Sequence, residues 1–259
     1  MRLGVVSFLN SRPLAWGLSK GSLRGRHQVE YCPPAAVAEG LRNGRFDAGL
    51  IPSIEARRIP GLTLVPGLCI AATEEVRSVL LVSRGPLSEV RRVALDENSR
   101  TSAALVRLLL AERGLSPEYV PARADLATML ELADAALVIG DPALFADRAG
   151  VQVLDLASEW HRLTGLPFVF AVWAARTDCD VAALAADLEA SYHEGLEALP
   201  RIVAEAEADS GLPRDVLETY FTRNLSYRLG EPERAGLAEF YRRAAAHGLI
   251  PEPHQPVPA

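Results

Sequence analysis

Short apolar runs alternate along this chain with stretches of helical periodicity, and that alternation restricts the fold more than any other feature. LGVVSF (3–8), VEYC (29–32) and FDAGLIP (46–52) read as strands. Between the last two, PAAVAEGLRNG opens on Pro34, spaces Val37 and Leu41 four apart and ends on Gly44, which is how a helix is punctuated. LTLVP (62–66) and RSVLLVSR (77–84) read as further strands, and the pattern restarts after Gly85-Pro86. VALDENS gives a strand that ends in polar residues. In TSAALVRLLLAERG, Leu105, Leu108 and Leu109 share one helical face, Thr101 or Ser102 can cap the start, and Gly114 ends it. EYVPA, LATMLELA and AALVIGDPAL repeat the theme, and VQVLDL and FVFAVWAA add two strands. Such alternation predicts a parallel α/β architecture.

From Val181 the chain reads as helix. Val181, Leu184, Leu188, Tyr192, Leu196 and Leu199 keep helical spacing, as do Leu237, Phe240, Tyr241 and Ala244 before Gly248. The tail PEPHQPVPA reads as a loose end. The expected organisation is two lobes: residues 1–83 with 171–259, including the C-terminal helices, and residues 84–170. FVFAVWAA is expected to cross back to the first lobe. A cleft between the lobes is then the natural ligand site, beyond the carboxyl ends of the parallel strands.

The 259 residues suit one large domain or two of about 100–150. At 49% hydrophobic but only 6% aromatic, Leu, Val and Ala must fill most of the core. A net charge of −6 gives no nucleic-acid footprint. No apolar run approaches the roughly 18 residues of a membrane span, and no leader-like apolar region opens the chain, so a cytoplasmic protein is expected. Cys32, Cys69 and Cys179 lack metal or redox spacing and read as structural thiols. His27, His161, His193, His247 and His254 show no metal-ligand spacing; His161, near an expected hinge, is the most open to another role. The glycine-rich dinucleotide and phosphate loops and the serine-hydrolase elbow are absent.

What remains is polar residues at strand ends. Asn10 follows the first strand, where its amide either caps the helix opening near Pro13 or meets a ligand with two donors and an acceptor. Ser53 follows the third strand, and Ser78 sits beside Arg77 at the start of another. Ser99, Arg100, Thr101 and Ser102 lie between a strand and a helix N-terminus. There, free N–H groups, hydroxyls and a guanidinium suit an anion, although ordinary capping explains the same residues. Gly140 and Asp141 follow a later strand, with Asp141 either capping a helix from Pro142 or facing the cleft.

SFLNSRPL, RSVLLVSR, LDENSRTSAALVRLLL, ALVIGDPAL and DLASEWHRLTGLPFVFAVWAAR stand in the order seen in the menaquinone-biosynthesis chorismate dehydratase family of the futalosine pathway, which the chain resembles over residues 7 to about 176. The resemblance implies a two-lobed α/β fold like the periplasmic binding proteins of the second topological type, working in the cytoplasm without metal or organic cofactor. It implies chorismate as substrate and 3-[(1-carboxyvinyl)oxy]benzoate plus water as products. Asn10 and Ser78 match the family's active-site residues. Ser99, Arg100, Thr101 and Ser102 match its carboxylate-binding turn, with Arg100 the foremost carboxylate partner among Arg12, Arg77 and Arg100. Gly140 and Asp141 match the motif on the facing lobe. None of these residues is an obvious general base, which leaves the substrate's own enolpyruvyl carboxylate, or Asp141, to take the proton. A non-catalytic small-anion binding protein and the sister enzyme that makes dihydroxynaphthoate are the competing readings.

Overall fold

Strand β10 (Phe168–Arg176), apolar and buried along almost its whole length, lies inside a sheet whose other long strands come from the first 72 residues. The computed structural model describes residues 1–251; the tail beyond, with His254, lies outside the described residues. The first sheet also contains β1 (Arg2–Val6), β2 (Gln28–Cys32), β3 (Ala48–Pro52), β4 (Leu62–Ala72) and β11 (Ser226–Arg228), in the order β11-β4-β10-β3-β1-β2. β1 pairs in parallel with β2 and β3, but β10 runs antiparallel to both β3 and β4. The second sheet has β5 (Val79–Ser83), β6 (Arg92–Asp96), β7 (Glu118–Ala122), β8 (Ala135–Ile139) and β9 (Gln152–Asp155), in the order β7-β6-β8-β5-β9, so residues 79–83, expected in the first lobe, pair within the second. Here β6 is parallel to β7 and β8, whereas β5 is antiparallel to β8 and β9.

Both sheets are therefore mixed, which corrects the expectation of purely parallel ones. A continuously apolar strand buried on both faces looks the same in either direction, so its residues do not encode its sense. β4 also runs past Pro66, where the sequence pattern had it end. Gly67 takes φ +98° and the register with β10 jumps between Cys69 and Leu64, so a bulge absorbs the missing proline donor.

Helices α1 (Arg12–Ser19), α2 (Pro34–Arg42) and α3 (Glu55–Arg58) connect strands of the first lobe. In the second, α4 (Thr101–Ala111), α5 (Leu126–Leu132) and α6 (Gly140–Phe145) do the same, and α7 (Leu156–Thr164) leads back. The C-terminal helices α8 (Val181–Glu197), α9 (Leu199–Ser210), α10 (Arg214–Thr219) and α11 (Glu231–Ala246) pack mainly on the first lobe. Ser191 of α8 joins α1 by donating to the Leu14 carbonyl at 2.8 Å and accepting the Leu18 N–H at 3.2 Å. Phe240 of α11 sits edge-on to Phe168 and Trp160, with ring centroids 4.9 and 6.1 Å away.

The chain passes between the sheets twice, and one carboxylate ties the passages together. Asp155 accepts the N–H groups of Val76 and Arg77 in the first, at 3.1 and 2.7 Å. It also caps α7 at the start of the second, through Ala157 and Ser158. Arg77 takes the left-handed φ of +62°, unfavourable for a side chain of its size. The Asp155 bond and one from Arg148 to the Arg77 carbonyl, at 3.1 Å, hold it there. Burial pushes the Asp155 carboxyl above its usual range, and the backbone bonds it accepts pull the other way.

Candidate active site

A cavity of about 530 Å³, counting open space at its mouth, lies between the two sheets. The first lobe lines it with Val6, Phe8 and Asn10 after β1, Pro34 at the start of α2, Pro52 at the end of β3, and Ile70, Phe170 and Ala171 from β4 and β10. The second supplies Ser78 and Val79 at the start of β5, residues 98–102 after β6, and Ile139 and Gly140 after β8. The parallel strands meet it with their carboxyl ends, as expected. The antiparallel strands β5 and β10 meet it with their amino ends.

Asn10 sits in a short 3₁₀ turn, Leu9–Ser11, between β1 and α1. No side chain caps α1, so the helix-cap alternative for Asn10 falls away. Its carboxamide oxygen is buried and accepts no hydrogen bond from the protein. Asn10 lines the cavity, and the protein leaves this acceptor unused. Ser78, only 1% exposed, lies just past the strained Arg77, and its carbonyl accepts the Gly140 N–H at 2.7 Å. A third residue, not singled out from the sequence, joins this pair. The Tyr220 hydroxyl, fully buried, donates to Ser78 Oγ at 2.9 Å. Burial drives this phenol well above its usual range, while the hydrogen bond to Ser78 pulls it down.

The segment 99–102 forms the turn that opens α4. Neither Thr101 nor Ser102 caps it: Arg100 holds the N-cap position without a side-chain cap bond, and Ser99 Oγ, one residue earlier, accepts the Ala103 N–H at 3.1 Å. Thr101 reaches across the cleft, where its Oγ1 accepts the Ile54 N–H at 3.2 Å and lies 3.3 Å from Ser53 Oγ. Ser53 is thus drawn into the contact between lobes, its hydroxyl bonded to the Val169 carbonyl and its own carbonyl accepting the Tyr241 hydroxyl at 2.6 Å. Thr101 and Ser102 are buried, and the N–H groups of this first turn have no intrahelical acceptor. Arg100 stands beside them, part-exposed, facing Glu39 of α2 at a loose 3.9 Å.

Gly140 and Asp141 turn out to serve different ends. Gly140 takes φ +65°, and a Cβ there would come within 2.5 Å of the Phe8 ring. Only glycine lets the second lobe close this tightly on the first. Asp141 does not line the cavity and caps no helix. Its carboxylate instead accepts the Leu9 N–H at 2.9 Å, clasping one lobe to the other. Burial raises this carboxyl to about 6, with the Leu9 bond and the Arg12 charge opposing. Arg12 itself pairs with Asp209, and of the three arginines near motif positions only Arg100 lines the cavity. His161 lies in α7, away from the cavity, with its Nδ1 buried and unbonded. Among the described residues no group of three or more His, Cys, Asp or Glu is arranged to hold a metal, and no helix is long and apolar enough to cross a membrane.

Two mixed sheets with a cavity between them define a two-lobed α/β fold like that of the periplasmic binding proteins. A solved Archaeoglobus fulgidus protein, AF1704, superposes with a TM-score of 0.80 at 18% identity, covering 96% of this chain and 98% of that one. The alkanesulfonate-binding protein SsuA of Xanthomonas axonopodis pv. citri gives 0.69, also at 18%, with 97% and 94% covered. The chain belongs to the menaquinone biosynthesis family, whose sequence model matches residues 1–246. It is 36% identical to the chorismate dehydratase of Thermus thermophilus, with 95% of each chain covered.

Proposed function

We propose that this enzyme is a carbon–oxygen lyase that dehydrates chorismate to 3-[(1-carboxyvinyl)oxy]benzoate and water in menaquinone biosynthesis by the futalosine pathway. The observation that carries this reading is the 36% identity to a chorismate dehydratase along 95% of the chain. The cavity is compatible with it. An apolar wall suits the ring, and a helix N-terminus with hydroxyls and Arg100 suits a carboxylate.

In this reading the ring carbon that bears the ether loses its proton first. The electron pair left behind delocalises towards the ring carboxylate, and hydroxide then leaves as the ring becomes aromatic. Asn10 and Ser78 hold the reacting portion: the free amide oxygen accepts from the substrate hydroxyl, and Ser78 donates to developing charge. Asp141 is engaged with Leu9 outside the cavity wall, which favours the substrate's own enolpyruvyl carboxylate as proton acceptor. Ser99 to Ser102 receive the other carboxylate, and Gly140 lets the lobes close over the ring. Incubating the purified protein with chorismate and following the new aromatic protons by NMR tests the proposal. Chorismate that binds but is recovered unchanged would overturn it in favour of a binding protein.

A further inference from the structure

We propose that Tyr220 is a positioning residue of this site, setting the hydrogen-bond polarity of Ser78. The inference rests on the proposed dehydratase reading. Tyr220 is fully buried and absent from the cavity wall, so it acts through its neighbours and not on the ligand. A serine hydroxyl has one proton and two acceptor positions. With the Tyr220 O–H donating into Ser78 Oγ at 2.9 Å, the serine's own proton is left to point elsewhere, and the cavity borders it. Ser78 is thereby presented as a donor, the polarity that an oxygen gaining negative charge requires. The phenol thus reaches the second-lobe polar group of the cavity wall directly, from a place the ligand does not touch.

The backbone around Tyr220 is built for this placement. After α10 the helix widens into a π turn, Tyr220–Asn224, a local change of pitch that re-aims side chains and is common at functional sites. The far end of that turn is anchored too: Asn224 Nδ2 donates to the Glu75 carbonyl at 3.0 Å. The turn thus grips the first passage between the lobes at Glu75 and at Ser78, either side of the strained Arg77.

The test is a four-protein kinetic cycle: wild type, Tyr220→Phe, Ser78→Ala and the double variant. Phe keeps the buried ring, and a thermal unfolding curve matching wild type shows that the fold is kept. In Tyr220→Phe, kcat for chorismate should fall about 10-fold, the effect of one lost hydrogen bond, with KM within about twofold. In the Ser78→Ala background the same change should cost nothing further, because the group it orients is gone. A kcat within about twofold of wild type, a loss confined to KM, or a loss that multiplies that of Ser78→Ala overturns the assignment. Wild-type protein inert towards chorismate overturns the dehydratase reading and this inference with it. An active wild type beside an unimpaired Tyr220→Phe overturns the inference alone.

Discussion

The two walls of the cleft differ in chemistry and in origin. The first-lobe wall is apolar except for Asn10: Val6, Phe8, Pro34, Pro52, Ile70, Phe170 and Ala171 come from separate strand and helix ends. The opposite wall is mostly polar, and five of its members, Asn98 to Ser102, are consecutive. A flat ring is held on one side by contact area, while its charged substituents are read on the other by N–H groups, hydroxyls and a guanidinium. Neither wall would select such a molecule alone. The comparison also shows why a chain of net charge −6 can accept an anion: the local field is set by one helix end and one arginine, not by the whole-protein sum.

The largest expected effect comes from the polar exception on the apolar wall. Asn10→Ala should lower kcat for chorismate about 10²-fold or more if the amide meets charge in the transition state, and Ser78→Ala should do likewise. Steady-state kinetics decide this, and near-wild-type turnover would reduce Asn10 to a bystander. Next is the seam between the walls. Gly140→Ala must combine a left-handed φ with a methyl against the Phe8 ring, and should cost about 2 kcal/mol in denaturant unfolding. An unaltered midpoint would mean that the seam opens freely. On the polar wall, Arg100→Ala should raise KM about 10-fold and leave kcat largely unchanged, with a smaller difference at high salt. An unchanged KM places Arg100 outside the clamp.

The smallest effect concerns the clasp at Asp141. Its folded-state pKa is raised to about 6, above the ordinary carboxylate value, so the folded protein binds this proton more tightly than the unfolded chain does. The stability linked to that proton is fully present below the unfolded pKa and is lost as pH rises through about 6. Asp141→Asn keeps an acceptor for the Leu9 N–H and removes the titration. Melting temperatures of the two proteins should therefore diverge across pH 4–6, with wild type losing more as pH rises. Parallel curves would refute the assigned titration.

The polar wall was readable in the sequence because its residues are contiguous and flank an obvious helix start. Asn10 was readable because an amide is out of place at the end of LGVVSF. The sense of β5 and β10 was not readable, since a run such as FVFAVW is apolar on both faces and carries no direction. β11 was hidden because three residues, Ser226–Arg228, are too few to show a period inside a helical region. Tyr220 was hidden for another reason: an aromatic at helical spacing reads as core, which it also is. Its second role depends on a π turn, and no residue preference marks one. Asp141 shows the limit of a motif reading. A carboxylate after a strand matched a ligand-facing motif, but its partner proved to be the Leu9 backbone, 132 residues away.

The place of β10 in the first sheet has a consequence for how the protein is made. β3 and β4 do not pair with each other; β10 lies between them. While the ribosome is still extending the chain towards residue 176, that sheet is a gapped frame without its middle strand. Every strand of the second sheet, ending at Asp155, has by then already been synthesised. The half of the molecule that starts later can thus be finished sooner, and the earlier half waits for its keystone.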